Sequence, residues 1–569
     1  MASPSRITPD RVVLVAALLA ALAYIQDLRY DFILDDVPLI LINETLRSWR
    51  NWKTIFLTNI YTAKSQALPV EITAVHYRPI YRLWQLMNAQ IFGFVIPWWH
   101  LSSLLLHLCV VFLVYVLGVK LLKDRWTAAL AAALFAAHPI HAESVAYVTA
   151  STDLLVALFS IASFLAYFRF REEGASLASY IVSTVAAAMA MLSKETAVMF
   201  PFLLVAYELL RETPADVPEA KRRLRPLVWT LPFFAVVGAY VAVRSFLFGL
   251  NTGPGPGGSR LAAFLDIPLV SVVYLRNLVW PFRLSFFYPS EWGSHWTLAR
   301  GAAVVFALAA AALLWRQFRE QKAMRLQVIW AAILFAPAAL GVYAFVREDW
   351  VHDRHMYLAS APICFIAAAL LTHPRWPARS ATIACFAVVA ILLAALALQI
   401  PRFSDDATIY ESALKVAPRS FLAHSYYGEA LWNYGRKDEA IREFKFVTEL
   451  SPQSSTAHER YGAALAEIGR DDEAQSEFEA ALRCVPSSPK FRAFLLSETA
   501  ELELKHLEFS AAAGHMSEAV KLAPDALNYH ALLAQALSHE GQAQEAETEM
   551  RLEAGVRRQI AQEERAARN

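Results

Sequence analysis

Between residues 11 and 400, apolar stretches read as membrane spans recur eleven times, several of them short for a crossing. They lie near 11–26, 99–121, 126–146, 152–170, 177–193, 196–210, 226–248, 299–316, 325–346, 356–372 and 379–400. Charged residues make up only 18% of the 569, against about 25% in a soluble domain. The stretch 261–282 is also apolar but carries Asp266, Pro268, Arg276 and Asn277. If it stays on one side, every strongly basic short loop falls on a single face: Lys120–Arg125, Arg169–Glu173, Arg211–Arg225, Arg316–Arg325 and His373–Arg379. Positive loops stay cytoplasmic. The expectation is therefore eleven spans, a cytoplasmic N-terminus, and everything after Ile400 on the far side. The first apolar run is read as an uncleaved helix, because no small-residue cleavage site precedes a soluble domain. A formal net charge of +1 gives no reason to expect nucleic acid, and four scattered cysteines give neither a disulfide framework nor a zinc site.

The tail reads differently. Gly428, Gly435, Ala440 and Pro452 recur 34 residues on as Gly462, Gly469, Ala474 and Pro486, and Ala534, Gly541 and Ala546 resume the phase after a four-residue insertion. A 34-residue period with small residues at the helix crossings is the tetratricopeptide pattern. The sequence thus divides into a membrane domain, 1–402, and a repeat domain, 403–569, of three to four repeats with a leading half repeat at Asp406–Pro418. Such a stack presents a concave groove suited to an extended polypeptide, or serves as a spacer or assembly surface.

Candidate chemistry gathers in the far-side loops. Asp35 and Asp36 follow the first span, and Pro38 comes two residues later. Either one carboxylate accepts a proton from an attacking hydroxyl, or the pair caps a following helix. Arg78, in His76-Tyr-Arg78-Pro79, is not explained by charge sorting and fits either a phosphate or a salt bridge to Asp35 or Asp36. His138-Pro-Ile-His141-Ala-Glu143 misplaces the glutamate of a metalloprotease helix and breaks it with Pro139, so these three are expected to line a polar cavity. Ser151-Thr-Asp153 reads as the N-cap of the fourth span. Lys194-Glu195 sits in a hairpin, as a solvated turn or as part of a site. Arg276 in Tyr274-Leu-Arg276-Asn277, and Arg354 and His355 in the dense run Arg347–Tyr357, add cations able to stabilise a departing phosphate.

Taken in order, Leu-Asp35-Asp36, His76-Tyr-Arg78-Pro79, Trp99-His100 to His107, His138-Pro-Ile-His141-Ala-Glu143, Thr152-Asp153, Ser193-Lys194-Glu195, Tyr274-Leu-Arg276-Asn277 and Asp353-Arg354-His355-Met-Tyr357, followed by the repeats, resemble the transmembrane and tetratricopeptide-repeat O-mannosyltransferases and their bacterial relatives. The resemblance implies an all-α chain: a polytopic helical membrane domain of the GT-C glycosyltransferase type followed by a tetratricopeptide α-solenoid. It implies an integral membrane protein with its repeats on the far side, and the Ala-rich spans and sparse glycosylation context point to a bacterial inner membrane with periplasmic (or lumenal) repeats. The activity implied is transfer of mannose or another hexose from a polyprenyl-phosphate carrier to a hydroxyl of a protein or glycan held by the repeat groove. Asp35 is then the base with Asp36 its partner. His76, Arg78, His138, His141, Glu143, Asp153, Lys194, Glu195, Arg276, Arg354 and His355 contact phosphate or sugar. No metal is required, and a divalent ion is not excluded. The repeat array is shorter than in animal members, which weakens transfer of their acceptor preference. The competing reading is a non-catalytic membrane-anchored scaffold for envelope assembly; a transporter would need polar residues at mid-bilayer, whereas the charges here sit at the rim.

Overall fold

The computed structural model describes residues 8–60, 76–211, 219–249, 260–289, 298–320, 324–343, 350–373, 377–484 and 488–568. Among them there is helix and no strand. The helices are α1 (Pro9–Tyr24), α2 (Trp52–Leu57), α3 (Pro79–Phe92), α4 (Ile96–Leu122), α5 (Arg125–Ala137), α6 (Ala142–Ala146), α7 (Ser151–Glu172), α8 (Leu177–Met191), α9 (Phe200–Leu210), α10 (Glu219–Phe248), α11 (Arg260–Val279), α12 (Leu298–Glu320), α13 (Arg325–Ala339), α14 (Ser360–Leu371), α15 (Ala378–Gln399) and α16 (Asp406–Leu414). The solenoid continues with α17 (Phe421–Asn433), α18 (Lys437–Leu450), α19 (Ser455–Glu467), α20 (Asp471–Arg483), α21 (Pro489–Lys505), α22 (Phe509–Leu522), α23 (Tyr529–His539) and α24 (Ala543–Arg568). Two compact units result, one running to Pro418 and one holding Arg419–Asn569.

Each expected span has a helix at its place, but among the described residues five are long and apolar enough to cross a membrane: Pro9–Arg29, Ile96–Leu122, Val148–Glu172, Val228–Phe248 and Ser380–Phe403. Others are shorter than the apolar run suggested. The stretch 126–146 stops being α-helix at Ala137, because Pro139 biases the residue before it out of the α region, and the chain continues as a 3-10 turn and the short α6. The stretch 196–210 splits into a 3-10 turn, Glu195–Met199, and α9.

The basic loops of the first unit carry ion pairs. At one end of the first unit Arg125 pairs with Asp10 at 2.8 Å, Arg171 with Glu208 at 2.5 Å, Lys120 with Glu173, and Arg211 with Glu172. At the other end lie the loops bearing Asp35, Arg78, Lys194 and Arg354. Segment 406–418, expected to lead into the repeats, belongs instead to this first unit: the Leu34 amide donates to Asp406 Oδ1 at 2.8 Å, and Tyr410 stacks on Phe287 at 6.2 Å between centroids.

In the second unit four helix pairs stack. Ser420, Ser454 and Ser488, 34 residues apart, each accept from the amide three residues on and cap α17, α19 and α21. Gly428 and Gly462 let paired helices touch: a Cβ at Gly428 would lie 2.7 Å from the Phe444 ring, and one at Gly462 2.9 Å from Phe478. Pro486 of the repeat pattern lies outside the described residues. The third pair, α21 and α22, was hidden in the sequence because its inter-helix turn has Leu507 where its neighbours have Gly435, Gly469 and Gly541. All four occupy the left-handed region, with φ from 65° to 82°.

Candidate active site

The loop after α1 turns sharply at Leu34, whose φ of 54° swings the two aspartates onto different surroundings. Asp36 is fully buried. Its Oδ1 accepts from the Thr149 amide at 2.7 Å and the Thr149 hydroxyl at 2.6 Å, and Oδ2 accepts from the Ile33 amide at 3.4 Å. A helical turn with Pro38 does follow, but the Asp36 side chain does not cap it. Burial pushes the Asp36 carboxyl up to about 7 against these hydrogen bonds. Asp35 remains partly exposed, with its amide donating to the Tyr147 hydroxyl at 3.3 Å. Of the pair, Asp36 is built in and Asp35 is the one solvent can reach.

Arg78 is held by a carboxylate the sequence did not pair it with. It meets Glu195 with two nitrogens, Nη2–Oε2 at 2.8 Å and Nε–Oε2 at 3.1 Å, while His76 Nδ1 reaches Glu195 Oε1 at 3.2 Å. Against the burial that would raise it, Arg78 and His76 hold the Glu195 carboxyl well below the usual range. Lys194 is not in a solvated turn: it is buried, 5% exposed, and its Nζ lies 2.7 Å from both oxygens of Asp153. That contact explains Asp153 better than capping does, since the N-cap of α7 is Ala150 and has no side-chain bond. Burial moves the Lys194 amine down, with Asp153 opposing.

These pairs enclose a cavity of about 300 Å³ in the first unit. Arg78, Lys194 and Arg244 supply its positive side, with the imidazoles of His76 and His355 beside them, Asp153 and Glu195 its negative side, and Leu334, Pro337, Ala338, Leu340 and Leu358 an apolar wall. Arg244 was not anticipated. Its only signal in the sequence is a charge in the penultimate turn of an apolar span at the end expected to lie opposite the basic loops. His355, whose Nδ1 is 3.3 Å from the Tyr274 hydroxyl, is held neutral by burial and by the nearby cations Lys194 and Arg354.

Arg354 stands beside this cavity. Its Nη1 donates to buried Glu143 at 2.6 Å, its guanidinium lies 5.8 Å from the Tyr147 ring, and Tyr147 in turn meets the Asp35 amide. The carboxylate of Asp353 accepts from Tyr288 at 2.8 Å and Asn277 at 2.7 Å; burial and Glu143 push it up to about 7. Three expected ligands fall elsewhere. His138 donates to or accepts from no cavity group; it is buried with Nε2 on the Leu278 carbonyl at 3.0 Å. His141 is buried against Ser360 at 2.9 Å. Both pack in the core because Pro139 turns the chain inward there. Arg276 bonds Asn277 Oδ1 at 2.7 Å and lines a different cavity. Arg347–Asp349 lie outside the described residues. Among the described residues no three His, Cys, Asp or Glu side chains converge as a metal site.

Residues 78–238, which carry Arg78, Glu143, Asp153, Lys194 and Glu195, match the family model of dolichyl-phosphate-mannose-protein mannosyltransferases. The Drosophila melanogaster protein O-mannosyl-transferase Tmtc2 is 29% identical over 50% of this chain and 30% of its own length. The Caenorhabditis elegans protein O-mannosyl-transferase F38B6.6 is 22% identical over 76% of this chain and 62% of its own. The chain thus spans less than two thirds of the length of these two relatives. Among solved structures, the Archaeoglobus fulgidus oligosaccharyltransferase aligns with a TM-score of 0.38 and 14% identity, over 76% of this chain and 58% of that one. The chain is thus similar to protein O-mannosyl-transferases, and the family model matches it over residues 78–238.

Proposed function

We propose that the chain is a membrane glycosyltransferase of GT-C type that moves a hexose from a polyprenyl-phosphate carrier to a hydroxyl acceptor on the extracytoplasmic side of a bacterial inner membrane. The observation that carries this reading is the mixed wall of the cavity: Arg78, Lys194 and Arg244 face Leu334, Pro337 and Leu358 across about 300 Å³. A ligand with a phosphate at one end and an isoprenoid chain at the other satisfies both walls, whereas a free sugar satisfies neither.

The reaction follows from this seating. The acceptor hydroxyl attacks the anomeric carbon from the face opposite the phosphate. The new C–O bond forms as the bond from that carbon to the phosphate oxygen breaks. The proton passes to the Asp35 carboxylate, and the lipid phosphomonoester departs with the electron pair. Arg78, Lys194 and Arg354 stabilise the growing negative charge, so the step does not depend on a divalent metal. Asp36 and Thr149 fix the loop on which Asp35 stands. An ordinary aspartate is a weak base, so its contribution is position rather than basicity. The repeats hold the polypeptide that carries the acceptor hydroxyl.

The test supplies purified full-length protein with polyprenyl-phosphate mannose and other hexoses and scores sugar on envelope peptides by mass spectrometry. Asp35→Asn should fold, insert and lose transfer by at least about 100-fold, the usual scale for removing a general base. Absence of transfer by wild type with every donor would return the chain to the reading of a membrane-anchored scaffold, and unchanged turnover in Asp35→Asn would remove Asp35 as the base.

A further inference from the structure

A second cavity, about 610 Å³, opens where the loop after α11 meets the segment that joins α15 to α16. It shares no lining residue with the cavity of Arg78 and Lys194. Its charged lining is Arg276, Arg283, Arg402, Lys415 and Glu411. Glu411 pairs with Lys415 at 2.9 Å. No described carboxylate forms an ion pair with any of the three arginines; buried Asp353 lies near enough to Arg276 and Arg402 to act on both, and its one charge leaves the three arginines with a net positive excess on one space.

Two of those guanidinium groups are held in place by neutral partners. Arg276 gives Nε and Nη2 to Asn277 Oδ1 at 3.0 and 2.7 Å and lies 5.7 Å from the Tyr288 ring; Arg402 Nη1 donates to the Leu284 carbonyl at 2.6 Å. Like charges crowded in a partly buried space repel one another, and ordering them in advance adds to that cost unless an anion relieves it. Arginine rather than lysine dominates the set, and its planar fork matches phosphate oxygens. The rim points to what carries the phosphate. Val279 and Trp280 are 79% and 61% exposed, and Trp280 meets Phe282 edge-on at 4.7 Å, an aromatic lip of the kind that sits at headgroup level.

We infer that this is a second phosphate-binding site, which takes the phosphoryl head of a membrane-borne lipid. It would let the protein hold one lipid phosphate while another occupies the first cavity, and it stands whether or not the first cavity is the donor site.

The experiment uses full-length protein in detergent and in vesicles. Inorganic phosphate is titrated in one arm. In the other, binding to phosphatidylcholine vesicles with 20 mol% phosphatidic acid is compared with phosphatidylcholine alone. Arg283→Glu changes an exposed side chain and spares the fold; it should weaken phosphoryl binding at least tenfold, while Arg78→Ala leaves this component in place. A preference for phosphatidic acid that Arg283→Glu abolishes supports the site with a lipid source. Saturable inorganic phosphate binding alone, lost in the same variant, supports the phosphoryl site but assigns it to a free anion. Binding of both probes unchanged in Arg283→Glu and in Arg402→Gln overturns the inference. So does capture of a polyglutamate peptide with no response to phosphate, which would make the surface a docking site for acidic protein.

Discussion

Asp153→Asn removes the partner of a lysine that cannot reach water. Lys194 and Asp153 are 5% and 7% exposed and meet at 2.7 Å through both carboxylate oxygens. Breaking a buried pair by removing one partner costs about 3–5 kcal/mol. Lys194 has one escape, which is to shed its proton. From an ordinary lysine value of ~10.4 that costs about 4.6 kcal/mol at pH 7, and about 1.4 kcal/mol less for each unit the pH is raised. The loss is therefore capped near 5 kcal/mol at pH 7 and near 2 kcal/mol at pH 9. The sign is fixed by linkage: burial lowers the folded-state affinity of Lys194 for its proton, so the variant regains stability as pH climbs toward the unfolded value. Equilibrium unfolding of the full-length protein in mixed micelles at pH 7 and pH 9, followed by near-ultraviolet circular dichroism, measures both numbers. Adding Lys194→Met to Asp153→Asn should recover at least about 2 kcal/mol, because a neutral pair of similar volume needs no counter-charge. That double variant should still fail to transfer sugar, since the cavity has lost a cation. A loss below about 1 kcal/mol, or one independent of pH, would mean that water reaches the pair, and the account of a dry, preorganised cavity would be wrong.

Asp36 titrates in the opposite sense. Its folded value near 7 lies above the ordinary carboxylate value, so the stability linked to its proton is complete below about pH 4 and lost as pH rises through 7. Asp36→Asn should flatten that decline by up to about 4 kcal/mol between pH 4 and 8, as read by the same unfolding assay. Arg354→Ala strands Glu143, which is 3% exposed, and should cost about 3 kcal/mol and most of the transfer activity; Arg354→Lys should restore stability before it restores rate. Leu507→Gly should raise the melting temperature of the repeat unit. It relieves a left-handed residue, worth about 1 kcal/mol, and removes a side chain that is 71% exposed. Gly462→Val should lower it by about 1–3 kcal/mol of stability, because its Cβ would press on the Phe478 ring.

The amphipathic signals were readable before any coordinates. Helical repeats at 34 residues and apolar runs in the membrane half are periodic, local properties, and both reappear as packing. Candidate residues were readable in part. Arg78, Asp153, Lys194, Glu195 and His355 do line one cavity, because ionisable groups at the ends of apolar helices have few places to go. Their pairing was not readable. Arg78 could have met Asp35 as easily as Glu195, which is 117 residues away, and no local rule chooses between them. His138 and His141 have the spacing of ligands yet pack in the core, and Arg244 has no motif yet faces the cavity.

The sequence by itself determined where apolar helices form, that a helical repeat follows them, and which loops carry charge. Those depend on the transfer of individual side chains between water and lipid, a cost each residue bears alone. Only the tertiary structure decided that Asp36 is locked onto Thr149 while Asp35 stays open, that Lys194 answers to Asp153, and that a second set of arginines faces a separate cavity. Those are contacts between residues tens to hundreds of positions apart. Their energies exist only once packing has excluded water and fixed which charge lies nearest which.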